Sequence, residues 1–226
     1  MKYLFYGNCQ TRALQKLMNL EFSRYVACYE SEITDNEFTD IILDSDVIIT
    51  QHINQNYRDK NYLSTDYIMN IKRPDTKIII FDSLHFSFYH FDTEYKMLDD
   101  KQIIDEPIHY HYNKMVEFYK SNRSVNDFLN CVVENKDFKT KFEMETILNE
   151  CITNLKDRYQ RNINKYDDEN NCYVVSAHKY IEDNFKYKLL FYSFNHPSYH
   201  VLEFIAKKVC NILDISPKLL DNFDPL

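Results

Sequence analysis

The chain has 226 residues, with 35 acidic against 27 basic side chains and a net charge of -8; apolar types make up 44% and charged types 27%. That length and ordinary composition allow a full hydrophobic core without disulfide or metal staples, and exclude collagen-like, coiled-coil and disordered classes. The acidic balance gives no concentrated positive footprint for nucleic acid, and no apolar run approaches the roughly 20 residues of a membrane span; a cytoplasmic protein, neither nucleic-acid-binding nor transmembrane, is expected.

Tyr3 to Tyr6 is a short apolar run that stops at Gly7. Helical spacing follows at Leu14, Leu17 and Met18. Strand, tight turn and helix open an α/β unit. Arg24 to Tyr29 reads as a second strand, Asp46 to Thr50 as a third and Lys77 to Phe81 as a fourth. The last two are unbroken β-branched runs, the pattern of strands buried on both faces in a parallel sheet. Thr34 to Leu43 and Thr65 to Ile71 read as crossover helices.

From about 112 to 166 the pattern is helical. Phe142, Ile147, Leu148, Cys151, Ile152, Leu155, Tyr159 and Ile163 form an apolar stripe that is expected to be buried. Tyr173 to Phe185 reads as a shorter helix, and Leu189 to Tyr192 as a strand returning to the sheet. Pro197 suits the first turn of a helix carrying Leu202, Ile205, Val209 and Leu213, and Ser216-Pro217 caps a last short helix. The expected architecture is a single α/β domain over 1–226. A mostly parallel central sheet is flanked by helices, with a helical insertion at 112–166.

The first turn carries the strongest chemical signal. Gly7 is the single glycine, where average usage of about 7% would give roughly 16. A chain that avoids glycine elsewhere has a steric reason for one here. Cys9 opens the following helix, whose free amides favour a thiolate, so its pKa is expected below the free-thiol value. The other cysteines, at 28, 131, 151, 172 and 210, form no CxxC pair and read as buried thiols. Asn8 and the first amides of the helix are candidate oxyanion donors, although Asn8 also suits a helix cap. Gln10 either orients a substrate or faces water, and Arg12 either meets a phosphate or is solvated.

Two more strand ends carry polar groups: Gln51-His52 and Asp82-Ser83-Leu84-His85. Parallel sheets collect ligand groups at such ends. Asn195-His196-Pro197 holds an imidazole beside a proline, a rigid presentation suited to a general base, with His200 four residues on. Phe86 to Phe91 is an aromatic run that suits core more readily than a ligand pocket. His109-Tyr110-His111 lacks a carboxylate or cysteine partner, so no metal is expected.

These pieces, Gly7-Asn8-Cys9-Gln10, Gln51, the Ser83 to His85 turn and Asn195-His196-Pro197, stand in the order of a known family. The chain resembles the WcbI-type polysaccharide biosynthesis acetyltransferases, capsule-associated proteins that bind coenzyme A, over nearly its whole length. The resemblance implies an O-acetyltransferase that moves an acetyl group from acetyl-coenzyme A to a sugar hydroxyl in surface polysaccharide synthesis. It implies Cys9, His196 and Asn8 as catalytic residues, and Gln10, Arg12, Gln51, Ser83, His85 and Asn195 as coenzyme A-binding residues, with the phosphates met by Arg12 or exposed lysines. Two other functions use the same residues. One is a thioester or ester hydrolase with the Cys9–His196 pair and water as acceptor. The other is a sugar- or nucleotide-binding protein without chemistry.

Overall fold

A computed structural model describes residues 1–29, 32–95, 97–98, 101–102, 110–134, 139–166, 171–216 and 219–220. The chain divides into two compact units, one formed by 1–85 with 152–226 and the other by 86–151. In the first unit the chain runs β1 (Tyr3–Gly7), α1 (Cys9–Met18), β2 (Ser23–Ala27), α2 (Asp35–Asp44), β3 (Val47–Gln51), α3 (Thr65–Ile71) and β4 (Lys77–Phe81). In the second unit β5 (Thr93–Tyr95) pairs antiparallel with β8 (Tyr110–Tyr112), and β6 (Met97–Leu98) with β7 (Lys101–Gln102). The helices α4 (Asn113–Lys120) and α5 (Val125–Glu134) follow, and α6 (Lys141–Tyr166) belongs to the second unit up to residue 151 and to the first from Ile152. The first unit closes with β9 (Cys172–Val175), α7 (His178–Asn184), β10 (Phe191–Ser193), β11 (His196–Pro197) and α8 (Tyr199–Leu213).

The central sheet has five strands in the order β2-β1-β3-β4-β9, and every pair is parallel. The four strands expected from the sequence are all present, and the long α4 to α6 region is helical as expected. All five residues of β1 and of β3 are buried, which is why both strands read as continuous apolar runs. Leu4, Tyr6, Ile48, Ile78 and Ile80 pack with Phe38, Ile41 and Ile42 of α2 and Ile68 of α3. Phe5, Ile49 and Ile79 are fully buried and point to the opposite face by strand alternation. That side is covered by α1, which packs on β1 to β3, and by α8, which packs on α1 and β9. Each Leu, Ile or Phe buried this fully contributes roughly 1.5–3 kcal/mol.

The shortage of glycine is met by other residues that tolerate a left-handed backbone. Asn19 and Asp214 end α1 and α8 at φ 43° and φ 54°, where their short polar side chains lower the steric cost. The start of α2 carries a reciprocal cap between Thr34 and Glu37, which fixes where the first crossover helix begins.

Four expectations are corrected. Tyr173 to Phe185 is not one helix, because Cys172–Val175 forms the fifth strand against β4 and the helix starts at His178; the β-branched Val174 and Val175 favour the pleated surface. Leu189 to Tyr192 does not return to the sheet, since β10 pairs antiparallel with β11 in a separate ribbon. Pro197 lies in that ribbon, ahead of the Ser198 N-cap rather than inside the helix. Phe142 is 76% exposed, and the stripe on α6 becomes buried only at Cys151, Ile152 and Leu155. The last short helix expected after Ser216-Pro217 falls outside the described residues, apart from 219–220, which are not helical; His109 also lies outside them. Phe86 is fully buried and packs on Phe88 and Tyr89 within the second unit, the core role expected of the aromatic run. No described helix is long and apolar enough to cross a membrane.

Candidate active site

In this strand order the chain leaves β1 in two directions, to β2 on one side and to β3 on the other. The loops at the carboxyl ends of β1 and β3 therefore diverge and open a crevice, the usual ligand position in open parallel sheets. Gly7 ends β1 at this point. A Cβ on it would lie 2.2 Å from Thr11 Oγ1 and 2.8 Å from Gln51 Oε1, and its φ is +155°. Any side chain here would push apart the first helical turn and the end of β3, which is the steric reason for the single glycine.

Asn8 caps α1: its Oδ1 accepts from Gln10 N at 2.9 Å. Its backbone amide donates to Gln51 Oε1 at 3.0 Å. Gln10 is 3% exposed and binds four partners. Its Nε2 donates to the carbonyls of Leu84 and Asn195, both at 2.7 Å, and its Oε1 accepts from Leu84 N and Gln51 Nε2, both at 3.0 Å. Gln51 also accepts from Thr11 Oγ1 at 3.1 Å. These two buried amides thus tie the ends of β1, β3 and β4 to the β10–β11 turn. Each missing bond would leave a buried polar group unpaired, at about 1–3 kcal/mol.

Held by this brace, Cys9 Sγ lies 3.7 Å from His196 Nε2. Ser193 and His196 face each other across the two-residue turn of the β10–β11 ribbon, and Ser193 Oγ is 2.6 Å from His196 Nδ1. The serine hydroxyl donates to Asn195 Oδ1 at 3.0 Å, so toward the imidazole its oxygen acts as acceptor. That fixes the proton on Nδ1 and leaves the Nε2 lone pair facing the thiol. Burial holds the His196 pKa below its ordinary value.

The thiol itself departs from expectation. Burial pushes the Cys9 pKa up, and the helix-terminal amides of Gln10 and Cys9 oppose this by a smaller amount. The expected thiolate is therefore corrected to a resting pair of neutral thiol and neutral imidazole. Desolvation disfavours both charged forms and outweighs the helix terminus. Cys9 is nevertheless partly exposed, whereas the other five cysteines are buried.

The remaining expected residues spread out from this centre. The His85 ring lies 5.0 Å from that of Phe194 in the β10–β11 turn, tilted by 52°, and burial, with Arg158 second, lowers its pKa. The Ser83 carbonyl accepts from Arg158 Nη1 at 2.7 Å. Arg12 is exposed, its guanidinium 5.9 Å from the Tyr25 ring centroid. His200 is also exposed, on α8 and away from the ribbon position of His196.

Sequence reasoning missed two groups. Ser193 was hidden because its i to i+3 relation to His196 depends on a hairpin turn. The other group is a cavity of about 670 Å³ at the ends of β3 and β4, lined by His52, Asn54, Ser83, Arg158, Arg161 and Lys165, with Asp82 and Asn162 beside them. Arg158, Arg161, Asn162 and Lys165 lie at i, i+3, i+4 and i+7 on α6, a helical spacing that was open to reading as one cationic face.

The family model described as "Polysaccharide biosynthesis enzyme WcbI" matches residues 2–218. A solved structure described as structural insights into WcbI, a novel polysaccharide biosynthesis enzyme, is similar over 100% of this chain and 74% of that chain, with a TM-score of 0.78 and 21% identity. It is the native form of that protein, without a disulfide between coenzyme A and one of its cysteines. None of the curated proteins matches the chain. The match of the family model across 2–218, together with the shared fold, shows that the chain belongs to the WcbI family of polysaccharide biosynthesis enzymes.

Proposed function

We propose that the protein is a cytoplasmic O-acetyltransferase that moves an acetyl group from acetyl-coenzyme A to a sugar hydroxyl during capsule or other surface polysaccharide synthesis. The observation that carries this reading is the Cys9 Sγ to His196 Nε2 approach of 3.7 Å, with Nδ1 held by Ser193. Family membership and the coenzyme A named for the similar structure support the donor.

His196 Nε2 takes the thiol proton as Cys9 Sγ forms a bond to the thioester carbonyl carbon. The carbonyl oxygen gains charge, and Asn8 Nδ2 and the Cys9 amide are the donors assigned to it in this mechanism. The bond from that carbon to the coenzyme A sulfur then breaks, and the leaving sulfur receives the proton from Nε2. In the second half the sugar hydroxyl gives its proton to Nε2, its oxygen bonds to the acyl carbon, and Cys9 leaves and is reprotonated. Gln10 and Gln51, whose amides are taken up by protein partners, act as positioning residues. Ser193 holds the imidazole tautomer and orientation.

The test is trapping of the acyl-enzyme. Wild type mixed with acetyl-coenzyme A and no sugar gains one acetyl group on Cys9 by peptide mass spectrometry, and Cys9→Ser gains none there. Full transfer activity in Cys9→Ser with loss in His196→Ala would instead mean direct attack by the sugar. Rapid acetate release without a sugar would favour a hydrolase.

A further inference from the structure

The cavity at the ends of β3 and β4 is built on one side by α6 and on the other by the loops after those strands. Three cations face it: Arg158, Arg161 and Lys165. Lys165 pairs with Asp66 at 2.5 Å. Among the described residues no carboxylate forms an ion pair with either arginine. Arg158 reaches the Ser83 carbonyl, and Arg161 reaches the Asp157 carbonyl of its own helix at 3.3 Å. Arg158 and Arg161 stand one turn apart on α6 and both line the cavity, and burial, then Arg161, lower the pKa of Arg158. The one carboxylate on the lining, Asp82, is 2% exposed and held by Asn162 Nδ2 at 2.8 Å. With Lys165 taken up by Asp66 and only the buried Asp82 opposite the two arginines, the concave site keeps an excess of about one positive charge.

Unpaired arginines crowded in a cavity are an arrangement that an anion relieves. A diphosphate offers several oxygen acceptors to two forked guanidinium donors, where a single carboxylate offers two. His52, Asn54 and Asn162 supply further polar contacts. The cavity also connects to the chemistry: Ser83 on its lining precedes Leu84, which Gln10 grips from the residue next to Cys9.

We infer that this cavity binds the diphosphate group of a substrate, with Arg158 and Arg161 as its main contacts. The ligand is either the coenzyme A donor or a nucleotide-diphosphate sugar acceptor. Only the first assignment rests on the acetyl-coenzyme A reading. The donor has its diphosphate and its thioester at opposite ends of a long arm, and the structure has a cation cavity and a thiol at separate points of one sheet edge.

Arg161→Gln is the variant of choice, because Arg161 is exposed and bonds only within its helix. Calorimetric titrations of the full chain would use coenzyme A, dephospho-coenzyme A, which keeps the diphosphate but lacks the 3′-phosphate, and UDP-glucose. The expected result is a loss of about tenfold or more in affinity for both coenzymes, with Arg161→Lys largely restoring it. If coenzyme A does not bind wild type but UDP-glucose does, and the variant loses tenfold there, the diphosphate site stands and the acetyl-coenzyme A reading falls. If wild type and Arg161→Gln bind all ligands equally, the diphosphate site is overturned while the donor reading is untouched. Loss for coenzyme A but not for dephospho-coenzyme A also overturns it, because the cavity would then hold the 3′-phosphate. No binding of any of the three to wild type overturns both.

Discussion

Cys9 and His196 meet as two neutral groups, and this decides how the site responds to pH. The thiol pKa is raised and the imidazole pKa lowered, both chiefly by burial. Between these two values the imidazole is a free base and the thiol is protonated. Transfer that needs His196 as base should therefore rise with pH through a value below the usual 6.5 of histidine and stay level until the thiol itself ionises, above the ordinary cysteine value. A pH profile of kcat/KM checks this; a fall in rate between pH 6 and 8 would indicate an imidazolium acid instead. Iodoacetamide should still label Cys9 first, but for its exposure rather than its acidity, since the other five thiols are buried. Labelling should accelerate toward pH 9 and above, read by peptide mapping. Ser193→Ala removes the acceptor 2.6 Å from Nδ1. It should lower kcat by roughly tenfold to a hundredfold with little change in KM, while Ser193→Thr keeps most of the rate. Of these residues Cys9 and His196 were legible in the sequence, because a cysteine after the sole glycine and an imidazole before a proline are local signals. The raised thiol pKa was not, because desolvation depends on what the fold stacks around Cys9.

At the scale of elements, the first strand–turn–helix unit carries the site. Gly7→Ala places a methyl carbon against Thr11 and Gln51 and should cost about 1–3 kcal/mol through overpacking, read by denaturant unfolding. Because both contacts belong to the brace under Cys9, the variant should also lose activity well below its melting point. An unchanged stability would mean that the turn relaxes and the glycine has no steric role. On α6, Leu155 is 1% exposed, so Leu155→Asp should cost at least about 3 kcal/mol. The exposed Asp157→Asn should change stability by less than about 0.5 kcal/mol. The sheet strands were legible because burial on both faces produces unbroken β-branched runs. β9 was not, since Cys172–Val175 is only four residues long and runs on into helical spacing. The β10–β11 ribbon was missed for a related reason: Leu190 and Phe191 are both fully buried, and burial alone does not say which partner a strand takes.

Across the whole molecule, a chain of net charge -8 concentrates three cations in one cavity at the edge of the sheet. Net charge gives no footprint for nucleic acid, yet the local field at Arg158 and Arg161 favours a small anion. Averages over a sequence lose such information, whereas the spacing of those residues on one helix face retains it. The sheet order β2-β1-β3-β4-β9 brings Cys9, Gln51 and Ser83 to one edge, and the ribbon adds His196 from the far end of the chain. We propose that this assembled pair transfers an acetyl group from acetyl-coenzyme A. It is tested most directly by measuring coenzyme A release from acetyl-coenzyme A with a panel of monosaccharides and nucleotide sugars, for wild type and His196→Ala side by side. Release should depend on one class of sugar and fall by about a hundredfold or more in the variant. Equal sugar-dependent release by both proteins, or no release by wild type with any sugar, would contradict it.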